Sequence, residues 1–256
     1  MQLNFKKIGE SGPAVIILHG VFGFLDNWLT ISKYIAEAGF TLYLVDQRNH
    51  GRSPHEAPMN YDVFASDLAD FITENQLESP LLVGHSMGGK TVMKYAVTHP
   101  DRLSKIVVVD IGPKQYPIHH TKIIEGLNAI DLSKVASRQD ADDQLAPFEP
   151  ILPVRQFLLK NLYRTEEGGF GWRFNLPVIT SDMKNVGQAI ASDEAVLAPT
   201  LFIRGGNSNY IEDEDWDDIV KLFPNASLET VQNAGHWIQA EQPKAFLEAL
   251  LPFLKA

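Results

Sequence analysis

The stretch Leu81-Leu82-Val83-Gly84-His85-Ser86-Met87-Gly88-Gly89-Lys90 decides the fold. It opens with a short apolar run, and a helical pattern covers residues 91–98. Between them stands Gly-x-Ser-x-Gly, the pattern of a sharp strand-to-helix turn that lifts a serine hydroxyl above a sheet. Gly84 and Gly88 have no β-carbon to clash where strand and helix approach each other. A helix starting directly after Ser86 aims free N–H groups and a positive dipole end at the place where an oxyanion would form. The bland alternative is a Gly-rich turn whose serine only caps the helix. The flanking strand and helix, with a base and an acid further along the chain, favour an activated nucleophile.

Outward from this turn, residues 14–18 and 40–45 are apolar runs of strands buried on both faces. Residues 104–110, 200–204 and 227–231 read as further strands, and residues 2–8 as a short edge strand. Amphipathic helices fall at 26–38, 60–76, 212–223 and 242–254. This alternation predicts an α/β fold: a mostly parallel sheet with helices on both faces. In such sheets active groups gather at the carboxyl ends of the strands, where His19, Asp46, Ser86 and Asp110 all fall. After Asp110 the rhythm breaks. Residues 115–196 show helical patterns, among them 155–163 and 181–190, and a Gly/aromatic turn or small hairpin at 168–174. The expected organisation is a core of residues 1–114 and 197–256 carrying a helical lid of residues 115–196.

The chain has 256 residues, of which 45% are hydrophobic and 21% charged, so it buries a substantial core. A net charge of −10 argues against nucleic acid or an anionic membrane as partner. Cysteine is absent, which removes disulfides, thiolate chemistry and cysteine-based metal sites. No apolar run approaches the ~20 residues of a membrane span, and residues 1–7 lack a signal-peptide core. The expectation is a cytoplasmic protein, a monomer or weak dimer, acting on a small molecule without cofactor or metal.

A serine needs a base to take its proton, and the usual base is a histidine held by a carboxylate. His236 lies in Asn233-Ala234-Gly235-His236-Trp237, just after the last strand, at the edge of the sheet that carries Ser86. Position and chain order favour it over a surface-loop role. His85, His19 and His50 read as structural, and His55, His99, His119 and His120 as solvated. The pair His119-His120 has no carboxylate cluster to make it a metal site. The acid is less direct. The loop after residues 200–204 reads Gly205-Gly206-Asn207-Ser208-Asn209-Tyr210-Ile211, with Asn209 where a carboxylate is often found. Asp110 closes a Val-Val-Val run, and a buried carboxylate there is costly unless paired. It is preferred to Asp213, with Asp182 a distant third. The oxyanion donors are expected to be the Met87 amide and, from the loop after His19-Gly20, the Val21 amide in preference to Phe22. Asp46-x-Arg48-x-x-Gly51-x-Ser53 reads as loop scaffolding.

Along its whole length the chain resembles the α/β-hydrolases, and within them the bacterial YbfF-type esterases. The matching stretches include His19-Gly20-Val21-Phe22-Gly23, Asp46-Gln47-Arg48-Asn49-His50-Gly51, Gly84-His85-Ser86-Met87-Gly88-Gly89-Lys90, Val109-Asp110-Ile111-Gly112-Pro113, Trp172-Arg173-Phe174-Asn175, Gly205-Gly206-Asn207-Ser208 and Ala234-Gly235-His236-Trp237. The resemblance implies a serine esterase or thioesterase for short acyl chains, acyl-coenzyme A among them, with a helical lid. It also implies Asp110 as the acid, since that subgroup lacks one in the Gly-Gly-Asn-Ser loop. Rival readings are hydrolysis of a carbon–carbon or amide bond on the same triad, and a silent hydrolase fold used for binding.

Overall fold

The apolar runs of the sequence pair edge to edge. A computed structural model describes residues 1–118 and 120–256. His119 lies outside the described residues. The strands are β1 (Phe5–Ile8), β2 (Ala14–Leu18), β3 (Thr41–Val45), β4 (Leu81–His85), β5 (Lys105–Val109), β6 (Leu162–Arg164), β7 (Phe170–Trp172), β8 (Thr200–Gly205) and β9 (Ala226–Val231). Seven of them form one sheet in the order β1-β3-β2-β4-β5-β8-β9. β1 pairs antiparallel at the edge, and every other neighbour in that sheet is parallel. Alternate residues of the central strands enter opposite cores. Val15 and Ile17 join one apolar cluster, while Ile16 and Leu18 join the other. Burial on both faces explains why these strands read as continuous apolar runs; each fully buried aliphatic side chain contributes roughly 1.5–3 kcal/mol.

The helices are α1 (Leu29–Glu37), α2 (Tyr61–Glu74), α3 (Met87–Thr98), α4 (Thr121–Ala129), α5 (Arg138–Leu145), α6 (Leu152–Leu159), α7 (Leu176–Val186), α8 (Trp216–Leu222), α9 (Ile238–Glu241) and α10 (Pro243–Lys255). Two have legible starts. The Asn60 side chain accepts the Val63 N–H at 3.1 Å to open α2, and Pro243 occupies the first turn of α10. Between β5 and β8 lies an insertion containing α4 to α7 and the antiparallel pair β6–β7.

Inside the insertion the elements differ from the sequence expectation. Helix α6 stops at Leu159, short of residue 163, because the Asn161 side chain turns inward and the chain enters the β6–β7 hairpin. Helix α7 starts at Leu176 rather than 181, with the Asn175 side chain as its cap and Pro177 in its first turn. Among the described residues no helix is long and apolar enough to cross a membrane.

Candidate active site

The parallel sheet brings the carboxyl ends of β2, β4, β5, β8 and β9 to one edge. Ser86 sits at the turn between β4 and α3 with φ 53° and ψ −117°. A β-carbon on Gly84 would come 2.1 Å from the Gly88 carbonyl oxygen, and one on Gly88 would come 2.5 Å from that of Leu18. Both positions therefore need glycine for close approach. The Ser86 side chain makes no capping hydrogen bond to α3. Helix capping therefore does not account for this serine.

Asp110 follows β5 and His236 follows β9. His236 Nδ1 lies 2.7 Å from Asp110 Oδ2. The carboxylate is wholly buried. It also accepts the Gly205 N–H on Oδ1 at 3.0 Å and the Ser208 hydroxyl on Oδ2. Asp110 adopts φ 51°, a left-handed conformation. Ser86, Asp110 and Phe22, which also has positive φ, thus collect unfavourable backbone at one edge, where functional sites store it. With its Nδ1–H donated to Asp110, the His236 ring keeps Nε2 as an acceptor, the tautomer a general base requires.

Two side chains pack on that ring. Tyr210 stacks on it at 4.1 Å, and His85 lies 4.6 Å away. His85 Nε2–H donates to the His236 carbonyl at 2.8 Å. The Tyr116 hydroxyl donates to the Tyr210 carbonyl and accepts the Gly112 N–H at 2.8 Å. The bracing by Ser208, Tyr210 and His85 was not legible as function in the sequence. Only the unusual Gly205-Gly206-Asn207-Ser208 run hinted that this loop differs.

The rival acids are placed elsewhere. Asp213 is exposed and pairs with Arg204 at 2.7 Å. Asp182, on α7, accepts the Met59 N–H at 2.7 Å. Asn209 is exposed.

Gly20 packs directly on the serine: a β-carbon there would lie 3.2 Å from Ser86 Cβ. The next amide, Val21, is thus carried to the nucleophile. Among the described residues neither the Val21 nor the Met87 N–H bonds to the protein, whereas the Phe22 N–H is used by His50 Nε2 at 3.3 Å. The Phe22 carbonyl accepts the Asn161 Nδ2–H at 2.7 Å. Asp46 accepts the Leu25 and Arg52 N–H groups, and Arg48 grips Asp67 with two bonds. These two residues brace loops, as their spacing implied.

His19, His50 and His85 are buried beneath this edge. Burial pushes His19 down to about 4 and His50 to about 3, and drives His85 well below its ordinary value of 6.5. All three are neutral at pH 7. Below about pH 6.5 the unfolded chain binds protons that the folded chain refuses, so stability falls as pH falls. The His19 and His50 shifts are each worth on the order of 3–5 kcal/mol once pH has dropped through the folded values. Urea-unfolding free energies are expected to drop by several kcal/mol between about pH 7 and pH 5. Equal values at the two pH values would show that these imidazoles are not held neutral.

A narrow apolar pocket of about 30 Å³ touches Ser86 and Met87. Its walls include Ile111, Tyr116, Met183, Val186 and Gly187. The insertion aromatics Phe148, Phe157, Tyr163, Phe170, Trp172 and Phe174 do not line it. Trp172 and Phe174 stack at 5.1 Å, and Phe174 meets Phe22 edge to face at 5.5 Å. A larger cleft of about 570 Å³ lies between residues 24–27 and the insertion, with Arg138, Lys160 and Arg173 among its walls. Arg155 is held by Asp142 at 2.8 Å.

A family model described as the alpha/beta hydrolase fold matches residues 13–243. The chain belongs to the α/β-hydrolase family. Esterase YbfF of Escherichia coli (strain K12) is 36% identical over 99% of both chains. The sn-1-specific diacylglycerol lipase ABHD11 of Mus musculus is 37% identical over 94% of this chain and 81% of its own. Among solved structures, a marine microorganism esterase is 43% identical, with a TM-score of 0.96 over 98% of this chain and 99% of that one. This α/β-hydrolase carries its buried carboxylate at the end of β5. Its loop after β8 contributes a hydroxyl, Ser208, to that carboxylate.

Proposed function

We propose that this α/β-hydrolase is a serine esterase for short-chain carboxylic esters, with Ser86, His236 and Asp110 as its catalytic triad. The His236–Asp110 hydrogen bond, at the same edge of the sheet as Ser86, carries the reading. His236 Nε2 takes the Ser86 proton as the hydroxyl oxygen attacks the ester carbonyl. The Val21 and Met87 amides receive the oxyanion, each worth on the order of 3 kcal/mol in the transition state. The imidazolium, stabilised by Asp110, returns the proton to the leaving alcohol. Water, deprotonated by His236, then attacks the acyl-enzyme and frees Ser86. Residues 115–196 act as the lid over this site.

Short chains are favoured because the pocket beside Ser86 is small and apolar. Initial rates on p-nitrophenyl acetate, butyrate, octanoate and palmitate test this. The expected kcat/KM falls by about tenfold or more between butyrate and octanoate, since each methylene beyond the pocket meets its wall. A flat or rising profile would refute the confined pocket, and no turnover on any ester would refute the esterase reading.

The larger cleft supports a second reading. Its Arg138, Lys160 and Arg173 suit a phosphate-bearing leaving group, as in an acyl-coenzyme A thioester. Turnover of acetyl-coenzyme A exceeding that of the esters would favour it.

A further inference from the structure

The insertion meets the sheet through two chain crossings, residues 113–116 and 186–190. They are laced together. The Tyr116 N–H donates to the Gly187 carbonyl at 2.8 Å, and the Ile190 N–H donates to that of Pro113 at 2.8 Å. The Ala189 N–H adds a bond to Gln115 Oε1 at 3.2 Å. A β-carbon on Gly187 would come 2.3 Å from the Tyr116 oxygen, so the spacing leaves no room for a side chain.

Against this neck lies Lys90, one turn along α3 from Ser86 and wholly buried. Its ammonium donates to the Lys114 carbonyl at 2.7 Å on the entering crossing. It also donates to the Gly187 carbonyl at 3.4 Å and to the Gln188 carbonyl on the leaving one. The faces of Tyr116 and Tyr61 lie 4.8 and 5.9 Å from it. Among the described residues no carboxylate pairs with Lys90. Burial pushes this ammonium down to about 7, while the carbonyls and ring faces favour its charge. An aliphatic side chain would fill the volume without that penalty. What the position gains from lysine is three donors that reach two separate crossings.

The same crossings wall the pocket. Tyr116 comes from the entering one and Val186 and Gly187 from the leaving one, while Met87 faces them from α3. We infer that Lys90 is a positioning residue that ties both crossings to the nucleophile helix and so sets the width of the acyl pocket beside Ser86. Its ammonium bonds neither to Ser86 nor into the pocket, and acts through the carbonyls it holds. The inference rests on the esterase reading for the word acyl, but the tie itself does not.

The test uses Lys90→Met, with Lys90→Gln as a second variant that keeps donors but not charge. Amide hydrogen exchange and the ester series are measured on the full chain. In Lys90→Met the Tyr116 and Ile190 amides are expected to exchange about tenfold faster, while those of β4 and β5 keep their rates. The ratio of kcat/KM for octanoate to that for acetate is expected to rise about fivefold, as the parted crossings admit longer chains. Lys90→Gln is expected to fall between the parent and Lys90→Met on both readouts. An unchanged ratio would overturn the inference, as would unchanged neck exchange. A uniform acceleration across the sheet, or failure of both variants to fold, would make Lys90 a global stabiliser and overturn it equally. Failure of the esterase reading would look different: the parent itself would turn over no ester, and the exchange rates alone would then decide the tie.

Discussion

Replacing Ser86 with alanine is expected to lower kcat for p-nitrophenyl esters about a millionfold, to the level of solution chemistry aided only by binding. The substitution removes one hydroxyl oxygen and keeps the backbone. That hydroxyl caps no helix, and alanine meets the same left-handed strain at φ 53° that serine already bears. The melting temperature of Ser86→Ala should therefore stay within a few degrees of the parent, about the shift that 1 kcal/mol produces. A drop of the whole size in rate with no drop in stability separates a nucleophile from a structural serine. Retention of even a few per cent of the parent rate would remove Ser86 from the mechanism.

Replacing Asp110 with asparagine is expected to cut kcat by about four orders of magnitude. The amide fits the same buried space, and asparagine tolerates the positive φ of this position. One amide oxygen can still accept the Gly205 N–H that now reaches Oδ1. The NH₂ group, however, then faces His236 Nδ1, where a donor meets a donor. The imidazole answers by moving its proton to Nε2, which leaves no base toward Ser86. Charge on the developing imidazolium is also no longer compensated. Asp213→Asn should cost little by contrast, because that side chain is exposed and pairs with Arg204. A larger rate loss in Asp213→Asn than in Asp110→Asn would move the acid to the loop after β8.

Several elements were legible because one local rule wrote each of them. Strands such as residues 14–18 and 41–45 read directly, since both faces are buried and no polar alternation breaks the run. The turn at Ser86 read directly too, because only glycine fits at 84 and 88. Asp110 was visible by its cost: a carboxylate at the end of an apolar strand needs a partner, and His236 is within 2.7 Å of it. The start of α7 was missed although Asn175 and Pro177 spell it.

Other features have no local spelling. Ser208 reaches Asp110 because β8 lies beside β5 in the sheet, though the two residues are 98 positions apart in sequence. Tyr210 stacks on His236 because β9 lies on the other side of β8. The β6–β7 hairpin is too short to show a period, with three residues in each strand. Of the insertion aromatics, Trp172 and Phe174 stack on each other, Phe174 packs against Phe22, and Phe157 packs on Trp237; their sequence is equally that of a pocket wall. Nothing near Lys90 in sequence identifies the carbonyls of residues 114, 187 and 188 as its partners.

The most direct measurement is the intact mass of the protein after treatment with a fluorophosphonate, followed by peptide mapping. A serine whose proton His236 removes attacks phosphorus, expels fluoride and keeps the phosphonyl group. The prediction is one adduct per chain, on the peptide containing Ser86, absent from Ser86→Ala and strongly slowed in Asp110→Asn. An unmodified chain, or an adduct on another residue with Ser86 untouched, would contradict the proposal that Ser86 is the activated nucleophile.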